Sequence, residues 1–353
     1  MSLHDEILEQ PAVAARLLDK RAEIEAIAAA LNGRQIDLVL IAARGTSDHA
    51  AIYAQYLFGA FHRLPVALAA PALTSIYGVT PRLERALVIG ISQSGRSPDV
   101  VGVLADARAQ GAATIAITNA TDSALGSAAE FVIDIGAGPE KAVAATKTYS
   151  ASLLAIAMLA AALGGGKPDA LGGDDAARWS SLGRLPELMA GALDGEPTVA
   201  EAAAARAAID RSIVLGRGFE YATAREWALK LKELAQVKAD PYSAADFQHG
   251  PMALVEPGYL VLATAPTGAS LPSMRELLER LRDQYKVDLV IISDDPTVRA
   301  IGAAGLTIPS GIADWLTPIV SVLPAQLFAY HTTVGRGMDT ENPRWISKVT
   351  LTH

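Results

Sequence analysis

The sequence predicts an α/β protein of two tandem doubly wound units, each carrying a five-stranded parallel sheet. Three observations lead there. Short continuous apolar runs alternate with helical stretches along the chain, the pattern of strands buried on both faces of a parallel sheet. In each half the first such run passes into an Arg-Gly pair, AARG at 42–45 and LGRG at 215–218, and then into a helix. Between the halves, GGGKPDALGGDD at 164–175 breaks every periodicity and reads as a linker. Two copies of one βα unit, matched in order, account for all three.

The elements follow in turn. After a turn at Glu9-Gln10-Pro11, residues 12–31 show helical spacing and stop at Asn32-Gly33, a normal helix terminator. Strands are expected at 37–43, 66–70, 86–92, 113–119 and 131–135, and a long helix over 146–163 closes the first half. The most apolar part of that helix, 151–163, falls short of the roughly 20 residues that span a bilayer, so it reads as a buried helix. Beyond the linker come helical stretches at 176–192 and 198–210. Strands follow at 212–216, 241–244 (the weakest), 259–265, 288–293 and 306–309. A last helix over 313–337 precedes a tail, NPRWISKVTLTH, that is expected to fold back on the body.

The resulting organisation is a helical segment at 1–33, a first unit at 34–165, linker and helix at 166–197, a second unit at 198–338, and the tail at 339–353 lying over the active site.

Composition narrows the function. A chain of 353 residues, 51% hydrophobic but only 5% aromatic, suits two layered domains with cores of Ala, Leu, Val and Ile. A net charge of −8 and a pI near 5.3 provide no basic footprint for nucleic acid or an anionic membrane. The absence of cysteine removes disulfides, thiolate metal sites and a cysteine nucleophile together. His4, Asp5, Glu6 and Glu9 stand where a signal peptide needs a basic start and an apolar run, so a cytoplasmic protein is expected. The six histidines, at 4, 49, 62, 249, 331 and 353, form no HxxxH or HxH pair, and no metal site is expected. There is no GxGxxG, no Walker loop and no GxSxG elbow, hence no dinucleotide or other cofactor. Proton chemistry on a phosphorylated small molecule remains.

Four stretches could carry it. IGISQSGRSP at 89–98 joins an apolar strand to a helix starting at Pro98. Its hydroxyls, Gln93 amide and helix N-terminus can cradle a phosphate at the sheet's C-terminal edge. RGTS at 44–47 occupies the equivalent place after the first strand, where Ser47 could add a phosphate contact and Thr46 a sugar contact. KAVAATK at 141–147 follows the fifth strand, with Lys147 reading equally well as helix-surface charge. Finally, residues 225–254 hold the densest ionisable group: Glu226, Lys230, Glu233 and Val237 share one helical face, and His249-Gly250-Pro251 follow. Taken alone, that face reads either as solvated i to i+4 pairs or as a catalytic centre.

These stretches together resemble the double-SIS sugar-phosphate isomerases, the family of the isomerase half of glucosamine-6-phosphate synthase. The carriers are RGTS at 44–47, ISQSGRSPD at 91–99, VAATK at 143–147, ALKLKE at 228–233, HGPMAL at 249–254 and PRWISKV at 343–349, with the opening EILEQP. The resemblance implies flavodoxin-like SIS units. It implies that Ser47, Ser92, Gln93, Ser94 and Ser97 hold the sugar phosphate, while Thr46, Val143 and Ser347 contact sugar hydroxyls. Glu233 corresponds to the base moving a proton between C1 and C2, His249 to the residue assisting ring opening, and Lys230 and Lys348 to the substrate-side lysines. It further implies a homodimer in which the HGP histidine comes from the neighbouring subunit.

Two positions depart from the synthases: Arg44 where they usually have cysteine, and Ala145 where they usually have serine. The synthases also carry a glutaminase domain with an N-terminal cysteine, for which this sequence has no counterpart. The run at 224–255 is most similar to the stand-alone SIS-type glucosamine-6-phosphate deaminases, which form fructose 6-phosphate and ammonia. Other members of the scaffold remain alternatives: a plain aldose-ketose isomerase, a deglycase, an ammonia-dependent or partner-fed aminotransferase, or a non-catalytic sugar-phosphate sensor.

Overall fold

The computed structural model describes residues 2–164 and 174–348. Most of the expected linker at 164–175, and the end of the tail at 349–353, lie outside the described residues. The chain opens with α1 (Leu3–Leu8), α2 (Gln10–Leu18) and α3 (Arg21–Leu31). The first sheet and its helices follow as β1 (Leu38–Ala42), α4 (Thr46–His62), β2 (Val66–Leu68), α5 (Ala72–Ser75), β3 (Ala86–Ile91), α6 (Pro98–Ala109), β4 (Ala113–Thr118), α7 (Ala124–Ala128), β5 (Phe131–Asp134) and α8 (Lys147–Ala162). After α9 (Asp175–Gly183), α10 (Leu185–Leu193) and α11 (Glu196–Ala204) come β6 (Arg211–Gly216), α12 (Glu220–Ala235), β7 (Lys238–Ser243), α13 (Ala244–Gln248), β8 (Leu260–Thr264), α14 (Leu271–Asp283), β9 (Asp288–Ser293), α15 (Pro296–Arg299), β10 (Ala304–Thr307) and α16 (Thr317–Gly335).

Two compact units result. One takes residues 12–140, 147–183 and the tail from 347; the other takes 1–11, 141–146 and 184–346. The first contains an all-parallel sheet in the order β2-β1-β3-β4-β5, the second one in the order β7-β6-β8-β9-β10. In both, the second strand flanks the first on one side and the remaining three extend on the other, as in doubly wound sheets. The runs at β3, β4 and β8 are buried along their whole length, which is why they read as continuous apolar stretches rather than alternating ones. Gly90 in β3 exists for packing: a Cβ there would stand 2.7 Å from a Leu104 methyl of α6.

Several boundaries differ from expectation for physical reasons. The single helix expected at 12–31 is α2 and α3, interrupted at Asp19-Lys20 by a tight turn. There the Lys20 ammonium reaches the Asp134 carboxylate at 2.5 Å. The stretch 176–192 is likewise two helices, with Pro186 near the start of the second, a position that needs no N–H partner. The helix at 198–210 spans Glu196–Ala204 instead, and that at 313–337 begins at Thr317 after a 3-10 turn. The weak piece at 241–244 belongs to a full strand, β7; it lies at the sheet edge, where Pro241 removes no needed ladder donor. Val237 is not on the α12 face, because the helix ends at Ala235 and Gln236 turns left-handed at φ 54°. Helix α8 is buried over Lys147–Ala161, and no helix among the described residues is long and apolar enough to cross a membrane.

Candidate active site

In the first unit, β1 and β3 lie side by side while the chain departs from them toward opposite sheet edges. Their C-terminal ends therefore frame the crevice where open α/β sheets bind ligands. Helix α4 starts there at Thr46 and α6 at Pro98, and no N-cap side chain closes either. Gly45 permits the first entry at φ 56°, a conformation that costs a side-chain-bearing residue. Ser47 and Thr46, half-buried, occupy the first turn of α4.

The 92–97 loop is held by its own backbone and by the next strand. Ser92 Oγ accepts from the Gly95 N–H at 3.2 Å, and Ser94 Oγ from the Arg96 N–H at 3.4 Å. An accepting hydroxyl still has its proton to donate, so each of these serines retains a donor. The Gln93 carbonyl accepts from the Asn119 N–H at 3.2 Å, and the Gly95 carbonyl from Leu125 at 3.0 Å. Ser97 precedes α6 without capping it.

Arg44, one of the two residues departing from the synthase pattern, places Nε 2.6 Å from Asp99 Oδ2. That carboxylate is 1% exposed and the guanidinium half-exposed, so the pair ties the 44–47 turn to the start of α6. Asp99 was not singled out from the sequence; its position directly after Ser97-Pro98, in the first turn of a helix, was the available signal.

Tail residues Ser347 and Lys348 belong to this same unit. Lys348 Nζ lies 2.6 Å from Glu140 Oε2, a carboxylate that is fully buried. Glu140 also accepts from the Thr148 N–H at 3.0 Å and the Thr148 hydroxyl at 2.8 Å. The tail lysine is thus seated at the start of α8 on an acid that also caps that helix. Lys147 is fully buried, which removes its reading as surface charge.

In the second unit, α12 follows β6 so closely that a Cβ on Gly216 would meet the Glu220 carbonyl oxygen at 2.2 Å. The helix buries Trp227, Leu231 and Leu234, as its apolar face requires, but it also buries Glu226 and Lys230. The charged face is therefore not a solvated one. Lys230 Nζ stands 3.3 Å from Glu226 Oε1 and 2.5 Å from Glu233 Oε2. Burial draws the Lys230 ammonium down, and the two carboxylates outweigh it, holding its pKa above the ordinary lysine value. Lys230 is accordingly a fixed cation at neutral pH. Glu233, 23% exposed against 0% for Glu226, is the member of the array open to a ligand.

His249 is exposed at the C-cap of α13, followed by Gly250 at φ 139° and a 3-10 turn over Pro251–Leu254. The turn is held from α14, whose Arg280 donates to the Gln248 side-chain oxygen at 2.5 Å. Val143, half-buried, lies on the 141–146 segment, which belongs to this unit. Its neighbours are clamped by the buried Glu6 carboxylate of α1, which accepts from the Lys141 N–H at 2.5 Å and the Ala142 N–H at 3.3 Å. In the sequence Glu6 stood out only as part of the acidic start and the opening EILEQP, with nothing to mark it as a clamp on the 141–142 backbone.

The expected residues thus fall into two groups. Thr46, Ser47, Ser92, Gln93, Ser94, Ser97, Ser347 and Lys348 are carried by the first unit; Lys230, Glu233, His249 and Val143 are carried by the second. The local histidine spacings offered no metal site, yet the second unit gathers His4, Glu196 and His331, distant in sequence, within 4.8 Å of one another at their ligating atoms.

Comparison with known proteins agrees with this architecture. The SIS domain family matches residues 34–162 and 207–336. A glutamine-fructose-6-phosphate aminotransferase (isomerizing) of Methanothermobacter thermautotrophicus is 33% identical over 97% of this chain and 56% of its own length. The chain therefore spans about half the length of the curated relatives it matches. Among solved structures, a protein of Silicibacter pomeroyi provisionally described as a phosphosugar isomerase is 33% identical, with a TM-score of 0.81 over 96% of this chain and 100% of that one. The glucosamine-6-phosphate deaminase of Thermotoga maritima, 22% identical, shares the fold with a TM-score of 0.70 over 96% of this chain and 100% of that one.

Proposed function

Because this chain belongs to the SIS domain family, with two matching domains, we propose that it is a sugar-phosphate enzyme converting glucosamine 6-phosphate to fructose 6-phosphate and ammonia. The observation that carries this reading is the α12 array. A domain that only binds a sugar phosphate needs the serine loop, but it has no use for a buried lysine fixed between two carboxylates with one of them open to solvent. Such an array is suited to moving a proton.

In this mechanism the 92–97 loop and Ser47 hold the phosphate dianion, and Thr46, Val143 and Ser347 meet the sugar hydroxyls. His249 assists opening of the ring. Glu233 takes the C2 proton of the open aldose and returns it at C1, passing through an enolamine to a C2 imine. Water adds to the imine carbon, the C–N bond breaks, and ammonia leaves with fructose 6-phosphate. Lys230 and Lys348 supply positive charge toward the developing enolate oxygen, an effect that grows as water is excluded. The reaction needs no cofactor. The functional molecule is a homodimer, with His249 entering the partner's site.

One specific observation favours a second reading. The curated relatives are aminotransferases of which this chain covers 56%, so the same site could run toward glucosamine 6-phosphate with ammonia supplied free or by a partner. A coupled assay separates the two. Ammonia and fructose 6-phosphate released in equal amounts from glucosamine 6-phosphate support deamination. Amination of fructose 6-phosphate by ammonium without measurable release supports the second reading, and neither activity overturns both.

A further inference from the structure

Outside the site described above, the one cluster of three metal-ligating side chains among the described residues is on three helices of the second unit. His4 lies on α1, Glu196 opens α11, and His331 sits near the end of α16. Both α1 and α11 pack against α16. The Nε2 atoms of His4 and His331 converge on the same carboxylate oxygen, Glu196 Oε1, at 2.6 and 2.8 Å. Tyr330 stacks on the His4 ring at 5.0 Å and fixes its plane. We infer that His4, Glu196 and His331 form a site for one divalent cation, zinc by the character of its ligands.

The ligand set is two imidazoles and a carboxylate, a combination that suits zinc. Zinc bonds nitrogen and carboxylate oxygen at about 2.0–2.2 Å, so neighbouring ligand atoms around a tetrahedral ion stand roughly 3.3 Å apart. Moving from the observed 2.6 and 2.8 Å to that spacing takes side-chain adjustments of about half an ångström, with the ion in place of the two protons now shared with Oε1. The side chains are 28%, 23% and 20% exposed, enough for an ion to enter and for water to complete its coordination.

Each imidazole binds the ion through Nε2 as the neutral ring, with its proton on Nδ1.

The role of the ion is to fasten α1. Two residues beyond His4, Glu6 holds the 141–142 backbone, so the cation would steady the segment that carries Val143.

The test uses the full chain, stripped with a chelator, desalted, and titrated with zinc chloride alone and with cobalt chloride alone. One equivalent should bind, with cobalt giving the visible absorption of a low-coordinate N/O site and zinc raising the melting temperature. His4→Ala and Glu196→Gln should each weaken zinc roughly tenfold or more, a tenfold loss being ~1.4 kcal/mol, while His62→Ala, on α4 of the first unit, leaves it unchanged. His4 lies on a short terminal helix, so its variant keeps the test open even where His331→Ala fails to fold. Circular dichroism of the metal-free variants verifies that they are folded. The site is refuted by no saturable binding, or by zinc binding of unchanged affinity and stoichiometry in folded His4→Ala and Glu196→Gln.

Discussion

Glu233 and Glu226 sit seven residues apart on one helix and touch the same lysine, but burial divides their work. Glu233 is the one a substrate can reach, so Glu233→Gln should keep the fold and lower turnover by roughly 10² to 10⁴, the usual worth of a general base. Wild-type ammonia release in that variant would remove Glu233 from the mechanism. Glu226 is fully buried against Lys230. Its loss leaves a buried cation with one fewer partner, and Glu226→Ala should destabilise the protein by about 3 kcal/mol, the low end for a broken buried pair because Glu233 remains; urea denaturation reads this out. Glu220 behaves differently. Burial pushes its carboxyl up, the Thr317, Thr223 and Ser321 hydroxyls pull it back, and Asp314 adds to the rise. Ser321 donates to it at 3.0 Å. A carboxyl whose folded pKa is raised binds a proton more tightly when folded, so its stabilisation is complete below the ordinary 4.5 and is lost as pH rises through the folded value. Glu220→Gln, permanently neutral, should flatten the fall in melting temperature that the wild type shows over that rise. An identical pH profile in both proteins would contradict the assignment.

The loops that build the site are constrained element by element, and Gly95 is the tightest point. It holds φ 61°, and a Cβ there would stand 1.9 Å from Ser123 Oγ at the start of α7. Gly95→Ala must displace either the serine loop or α7, so it should cost on the order of 1–3 kcal/mol and raise KM for the phosphorylated substrate. A variant with unchanged melting temperature and unchanged KM would show that the loop is not held as described. The same level explains what was legible from sequence. The inner strands could be read because buried parallel strands are continuous apolar runs, whereas the half-exposed edge strand β7 showed only as a weak piece; the 92–97 loop and the Lys230–Glu233 pair could be read because their members are sequence neighbours. Ends of elements were less legible, since tertiary contacts decide them: β7 tolerates Pro241 only as an edge strand, and α12 stops at a left-handed Gln236 that no glycine announces. The supporting roles of Glu6, Glu140 and Glu196 had no local signal. Glu6 meets Lys141 across 135 positions, and Glu140 meets Lys348 across 208. His4 and His331 find Glu196 from 192 and 135 positions away, a pairing that no search of local histidine spacing can detect.

At the scale of the whole molecule, the residues proposed for the chemistry fall on two units of matching strand order, the loop proposed to hold the phosphate on one and the α12 array with His249 on the other. His249 is exposed, on a turn kept in shape by Gly250 at φ 139° and by Arg280. It is therefore a side chain held ready rather than one used in its own core. In the proposed homodimer it would serve the neighbouring chain, and a hybrid experiment decides this directly. Glu233→Gln dimers and His249→Ala dimers should each be nearly inactive. In a hybrid of the two, one site combines both lesions and the other combines the intact Glu233 of one chain with the intact His249 of its partner. Half of the dimers in a randomly mixed equal population are hybrids, so shared sites should restore about a quarter of the wild-type rate. If each chain instead completes its own site, every site in the mixture carries one lesion, and the rate stays at the average of the two parents.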